Sequence, residues 1–421
     1  MSFKQKGCYL TAAAQKSIDA NKNYEWVHLN FTAPIPPTGT GSYNHLMWDI
    51  IRRRYSKDLL ICKYFSESYQ RIRETNCSAI YVGQPRICNF VKPYIALNNF
   101  ISLGFNDHKK QDFLIQKTVS IIKHVNCKKI LVWSNIATLP LLRRFFPNHT
   151  IAFAQRHYDY PLKESHHNDC DILIAQTRGQ VSHAFQRMER LNPFVVVIPN
   201  GVELDLFCPP SLDERIELRL KLNLPKDKFI VIFPSKLTPH KGTYYLHKWI
   251  TELCRSHSDV FFLVVGGLRK TLKSSHRNEL EQLLTTSTNV RWVNNATREH
   301  MPSYYKTANV CLMPGLWREG FSMAAIEALA SGLPLIASKA GFYPEIIRDG
   351  YNGFLCRQEF LFNDILKAII DLKKNRALLE KMSKNSRLYA KLRLSREKVL
   401  SNFDAFLEDR YQDIDDDISI P

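Results

Sequence analysis

Nowhere in its 421 residues does the chain hold an apolar run approaching the roughly 18 needed to cross a bilayer. Its opening, MSFKQKGCYLTAAAQKSIDANK, lacks an apolar stretch of signal-peptide length, so a cytoplasmic protein is expected. The ten cysteines are scattered without a Cys-x-x-Cys pair. That excludes the common zinc and disulfide patterns and predicts free thiols in a reducing compartment. His166 and His167 have no third ligand at zinc-site spacing, and no metal is expected. Neither a Walker A sequence nor a GxGxxG fingerprint occurs, which removes the best support for an ATPase or a dehydrogenase. An internal sequence repeat is also missing, and the ten Lys/Arg from Lys373 to Lys398 read as solvated helix faces. With 45% hydrophobic and 23% charged residues the chain is globular, not disordered or coiled-coil.

Acidic residues are scarce, 40 against 58 Lys and Arg, for a net charge of +18. The first 200 residues carry 26 Lys/Arg against 13 Asp/Glu, whereas the remainder carries 32 against 27. A field of this sign favours an anionic partner such as a nucleoside diphosphate, a phospholipid surface or nucleic acid, and does not choose among them. Arg52, Arg53 and Arg54, with Lys109, Lys110, Lys128 and Lys129, are the clustered cations of the first half.

Short apolar runs alternate with longer amphipathic stretches, as when parallel strands are joined by crossover helices. The strand candidates are WVHLNF (26–31), AIYVG (79–83), KILVWS (129–134), IAFAQR (151–156), DILIAQ (171–176) and FVVVIP (194–199). After a break the pattern resumes with FIVIFPS (229–235), VFFLVVGG (260–267), VRWVNN (290–295), VCLMP (310–314) and PLIAS (334–338). Two doubly wound α/β domains in tandem are predicted, residues 1–200 and 201–400, with an acidic tail at 401–421. Asn-Gly and Pro-Pro mark a linker between about 200 and 210.

Three segments could carry chemistry. In PGLWREGFSMAAIEALASGLPLIAS (314–338) a strand ends in a glycine-bearing loop that holds Glu319, and Gly320, Phe321 and Ser322 lead into a helix that holds Glu327. A helix start offers free N–H groups and the positive end of a dipole, which suit a phosphate. A loop carboxylate and a helix carboxylate could each accept from hydroxyls of a polyhydroxylated ligand. In FPSKLTPHKG (233–242), Lys236 and Lys241 flank a Pro-His turn at a strand's carboxyl end, where open α/β sheets bind ligands. In TGTGSYNHL (38–46), Gly39 and Gly41 permit close backbone approach to a ligand.

Together with VIPNGVELDLF (197–207) and AGFYPEIIRDGYNGFLC (340–356), these segments resemble the family 4 glycosyltransferases of the GT-B fold. The PNGV-x4-F linker, K-x4-KG turn and E-x7-E loop-helix occur in that family's order and spacing, and the resemblance runs from about Trp26 to about Val399, strongest from Ile198 to Cys356. The resemblance implies two Rossmann-like doubly wound domains facing across a cleft, with the active site between them. It implies that Glu319 contacts the donor sugar, that Glu327 binds the nucleotide ribose, and that Lys236 and Lys241 neutralise the diphosphate, assisted by amides around Phe321 and Ser322. His157 matches a histidine placed near the donor sugar. The family usually has Arg where Lys236 stands, and Lys keeps the charge but loses the bidentate fork.

The expected activity is transfer of a sugar, with retention, from a nucleoside diphosphate sugar to a hydroxyl of a glycan, a lipid-linked acceptor or a small molecule. The nucleotide sugar is a co-substrate, and no cofactor is expected. The basic first domain would meet an anionic or lipid-linked acceptor and a peripheral anionic membrane; nucleic acid is not expected. Two rival readings are another GT-B enzyme, a sugar-nucleotide epimerase or a phosphorylase, and a non-catalytic basic binding protein for membrane or nucleic acid.

Overall fold

The computed structural model describes residues 23–35, 46–47, 49–50, 53–54, 57–65, 79–81, 118–133, 136–155, 166–185, 193–269, 271–316 and 320–411. They form two compact units. The first comprises Met1–Ala175, Val181–Val197 and Phe406–Arg410, and the second Gln176–Gln180, Ile198–Ala405 and Tyr411–Pro421. Each is built on one parallel sheet, so the expected pair of doubly wound α/β domains is found.

In the first unit the strands are β1 (Val27–Ile35), β2 (Leu59–Phe65), β3 (Ala79–Tyr81), β4 (Lys129–Trp133), β5 (Thr150–Ala154), β6 (Ile172–Ala175) and β7 (Phe194–Val197). Their order is β3-β2-β1-β4-β5-β6-β7, all parallel. In the second they are β8 (Phe229–Phe233), β9 (Val260–Val265), β10 (Val290–Val293), β11 (Val310–Met313), β12 (Leu335–Ser338) and β13 (Gly353–Cys356). Their order is β10-β9-β8-β11-β12-β13. The winding direction reverses between β1 and β4 in one sheet and between β8 and β11 in the other. Such reversals open the crevices that hold ligands beyond the strand ends. All eleven strand segments read from the sequence are strands; β2 and β13 are additional.

The second sheet shows why its strands are apolar without interruption. On β9, Phe261, Leu263 and Val265 pack on one face with Ile326 and Leu329 of the helix Met323–Ala330. Val260, Phe262 and Val264 pack on the other with Trp249 and Ile250 of the helix Thr243–Ser256. Alternate residues face opposite sides, so a sheet covered by helices on both must be apolar at every position. Each fully buried aliphatic side chain contributes about 1.5–3 kcal/mol.

The helix Arg396–Leu407 supplies Phe406 and Leu407 to the first unit. There the Trp26 indole N–H donates to the Leu407 carbonyl at 2.9 Å, and Trp26 packs against Phe406 with ring centroids 5.6 Å apart. Buried Arg54 donates to Asp58 at 2.7 Å, to Glu25 at 2.5 Å and to Glu408 at 3.5 Å, while Lys129 pairs with Asp409. Asp58 also accepts from His28 Nε2 at 2.9 Å, a tautomer fixed by the Trp133 indole N–H donating to His28 Nδ1. A buried charge is tolerated when paired in this way. Arg54 and Lys129 therefore do not serve as the open surface charges expected of an acceptor-facing patch. Arg52, Lys109 and Lys110 of that patch lie outside the described residues.

Candidate donor site at the β8–β11 crevice

The chain leaves β8 through Pro234 and Ser235 to Lys236, which is exposed, and the short helix Pro239–Lys241 carries Lys241 at its end. Gly242 follows with φ +75°, a left-handed conformation that glycine adopts freely. The same residue lies against the chain leaving β11. A Cβ on Gly242 would stand 2.3 Å from the Pro314 carbonyl oxygen, and Leu316 N donates to the His240 carbonyl at 2.9 Å. The lysine turn and the loop that leads toward Gly320 are thus fastened together at the reversal point of the sheet.

Beyond that loop Gly320 and Phe321 are half-buried, with the Phe321 ring stacked on Phe342 at 4.9 Å. Ser322 is the N-cap of the helix Met323–Ala330, buried, and its side chain makes no capping bond. No acidic residue lies in that first turn. A helix start of this kind presents backbone N–H groups and a positive dipole end suited to an anion.

Glu327, one turn further, is only 7% exposed. Burial pushes its carboxyl up to about 7, opposed by the charge of Arg298 and by a hydrogen bond from Tyr305, and aided by Glu203. The Tyr305 hydroxyl donates to Glu327 Oε2 at 3.2 Å. Tyr305 is itself buried against Phe207, the phenylalanine of the PNGV-x4-F segment, with ring centroids 6.0 Å apart. That segment is anchored through Val202, whose N–H donates to the Leu394 carbonyl at 2.8 Å, and through Glu203, which accepts from Arg298 at 3.1 Å and from Arg396. The linker motif is in this way a buttress for the site, reaching Glu327 through one aromatic contact and one hydrogen bond.

Of the residues singled out in the sequence, Lys236, Lys241, Gly320, Phe321, Ser322 and Glu327 all lie in the second unit. The fastened loops and the helix that follows place them around the carboxyl ends of β8 and β11. Gly39, Gly41, His157 and Glu319 lie outside the described residues. Sequence reasoning missed Tyr305, Arg298 and Arg269. Tyr305 gives no local signal, since it joins Glu327 only through the packing of two helices. Arg269 stands beside the lysine turn because β8 and β9 are neighbours in the sheet.

Residues 214–389 match the family model described as Glycosyl transferases group 1. The lipopolysaccharide 1,2-N-acetylglucosaminetransferase of Salmonella typhimurium is 24% identical over 80% of this chain and 87% of its own length. A D-inositol 3-phosphate glycosyltransferase of Streptomyces bingchenggensis is 31% identical over 191 residues, 44% of this chain, so the chain spans only 41% of that relative. Among solved structures, the Anabaena protein HepE in complex with UDP superposes with a TM-score of 0.71 at 16% identity, covering 91% of this chain and 99% of that one. The chain therefore has the GT-B fold, and its residues 214–389 are similar to a group 1 glycosyl transferase domain.

Proposed function

We propose that the protein is a retaining family 4 glycosyltransferase that moves a sugar from a nucleoside diphosphate sugar to a hydroxyl of a glycan or lipid-linked acceptor. The observation that carries this reading is the meeting of the Lys236–Lys241 turn with the loop that enters the helix of Glu327. The diphosphate would lie between the lysine ammonium groups and the helix-start amides, and Glu327 would accept from the ribose hydroxyls. Electrostatic groups aimed at a departing diphosphate are the largest plausible source of rate enhancement. The family resemblance favours attack on the face that the leaving phosphate vacates. Glu319 and His157 keep the roles at the sugar that the family resemblance implies. A UDP-sugar is favoured as donor because HepE binds UDP. A glycan acceptor is favoured because the Salmonella relative is named for lipopolysaccharide.

Thermal unfolding with UDP, GDP and ADP and their sugars tests the donor. A ligand at 100 times its dissociation constant stabilises the folded state by about 2.7 kcal/mol. Stabilisation by UDP compounds, followed by transfer to a saccharide with the anomeric configuration kept by NMR, is the expected result. No response to any nucleotide would remove the reading, and an inverted product would remove retention.

A further inference from the structure

The loops after β8 and β9 hold a third cation that the roles given to Lys236 and Lys241 leave unused. Leu237 N donates to the Gly267 carbonyl at 2.9 Å and Arg269 N to the Leu237 carbonyl at 3.2 Å, so Leu237 and Leu268 add one parallel rung beyond the strands. Gly266 makes this approach feasible, because a Cβ there would stand 2.0 Å from the Ser235 carbonyl oxygen. The fastening sets Lys236 and Arg269 at the same end of neighbouring strands, both exposed. Partial burial, then the nearby charges of Arg269 and Lys241, hold the Lys236 ammonium below the usual lysine range. Neither Lys236 nor Arg269 makes an ion pair with a carboxylate among the described residues. Like charges gathered at one strand end repel one another and favour a multiply charged anion beside them.

We propose that Arg269 is a third phosphate-facing cation, matched to the charge that the nucleoside diphosphate gains as the sugar departs. This rests on the donor reading above. In the transfer the bond from the anomeric carbon to the terminal phosphate oxygen breaks, and its electron pair stays on that oxygen. The acceptor oxygen bonds to the anomeric carbon, and its proton leaves to solvent. The terminal phosphate thereby changes from one bonded to both the sugar and the anhydride oxygen, with a single charge, to one bonded through the anhydride alone, with about −1.5 to −2 at pH 7. Two lysines balance the donor, and the extra charge of the product and of the transition state leading to it calls for the guanidinium. An arginine suits this place because its fork can hold two oxygens of one phosphate.

The test compares wild type, Arg269→Ala and Arg269→Lys for calorimetric affinity toward UDP and UDP-N-acetylglucosamine and for single-turnover rate. Arg269→Ala is expected to weaken UDP about tenfold, in line with a lost charge-assisted hydrogen bond. The sugar nucleotide changes much less, turnover slows, and Arg269→Lys recovers part of each loss. The unliganded melting temperature stays as in wild type, because the side chain is exposed. Equal losses for UDP and its sugar, or no loss, overturn the inference while leaving the donor reading intact. If wild type binds none of UDP, GDP or ADP, the donor reading fails and this inference falls with it.

Discussion

At the scale of single residues, Glu327 is the site carboxylate whose behaviour departs from that of a free side chain. Its carboxyl is raised from 4.5 to about 7 in the folded protein, so the fold holds a proton there that the unfolded chain gives up. The stabilising contribution is complete below about pH 4.5 and is lost as pH rises to about 7, a change on the order of 3 kcal/mol. Glu327→Gln cannot titrate. Urea unfolding at pH 5 and pH 8 should therefore show wild type losing stability relative to Glu327→Gln, and a constant difference would contradict the burial argument. The same variant should weaken nucleotide binding at pH 8, where wild type presents a carboxylate to hydroxyls. The carboxylate's spacing from Glu319 was legible in the sequence. Its protonation was not, because the burial that raises it comes from packing between distant parts of the chain, which also bring Arg298 and Tyr305 to oppose it.

Among elements, the β8 and β11 loops decide whether the site exists at all. Gly242→Ala would force a side chain into a left-handed turn and against the Pro314 carbonyl, costing about 1–3 kcal/mol for the backbone conformation alone. We expect a lower melting temperature and a loss of nucleotide affinity larger than the stability change implies, since the two loops would separate. A variant with wild-type affinity would show that the fastening does not shape the site. The strands around it were legible because VFFLVV and FIVIF are apolar at every position, which only a sheet covered on both faces requires. β2, LLICKYF, was not read: Lys63 breaks its run and an arginine-rich stretch precedes it. β13, GFLC, begins on glycine at the sheet's edge, among turn residues. Arg269 belongs to the same limit, since which loops become neighbours depends on strand order and not on local pattern.

For the molecule as a whole, the division into two units cuts across the order of the chain. Phe406 and Leu407 are buried, each contributing about 1.5–3 kcal/mol, and Glu408 is one of three carboxylates around Arg54. Removing residues 406–421 should therefore destabilise the first unit. Hydrogen exchange should rise at amides of β1 and β4 while those of β8 and β9 keep their protection. Unchanged exchange in β1 and β4 would mean the returning segment is dispensable. Synthesis on the ribosome makes the same feature a matter of timing. The amino-terminal unit emerges first, yet Trp26 has no Leu407 carbonyl to donate to, and Arg54 no Glu408, until the entire second unit has been translated. The leading half of the nascent chain therefore lacks these contacts, and the stability they contribute, until the last helix arrives.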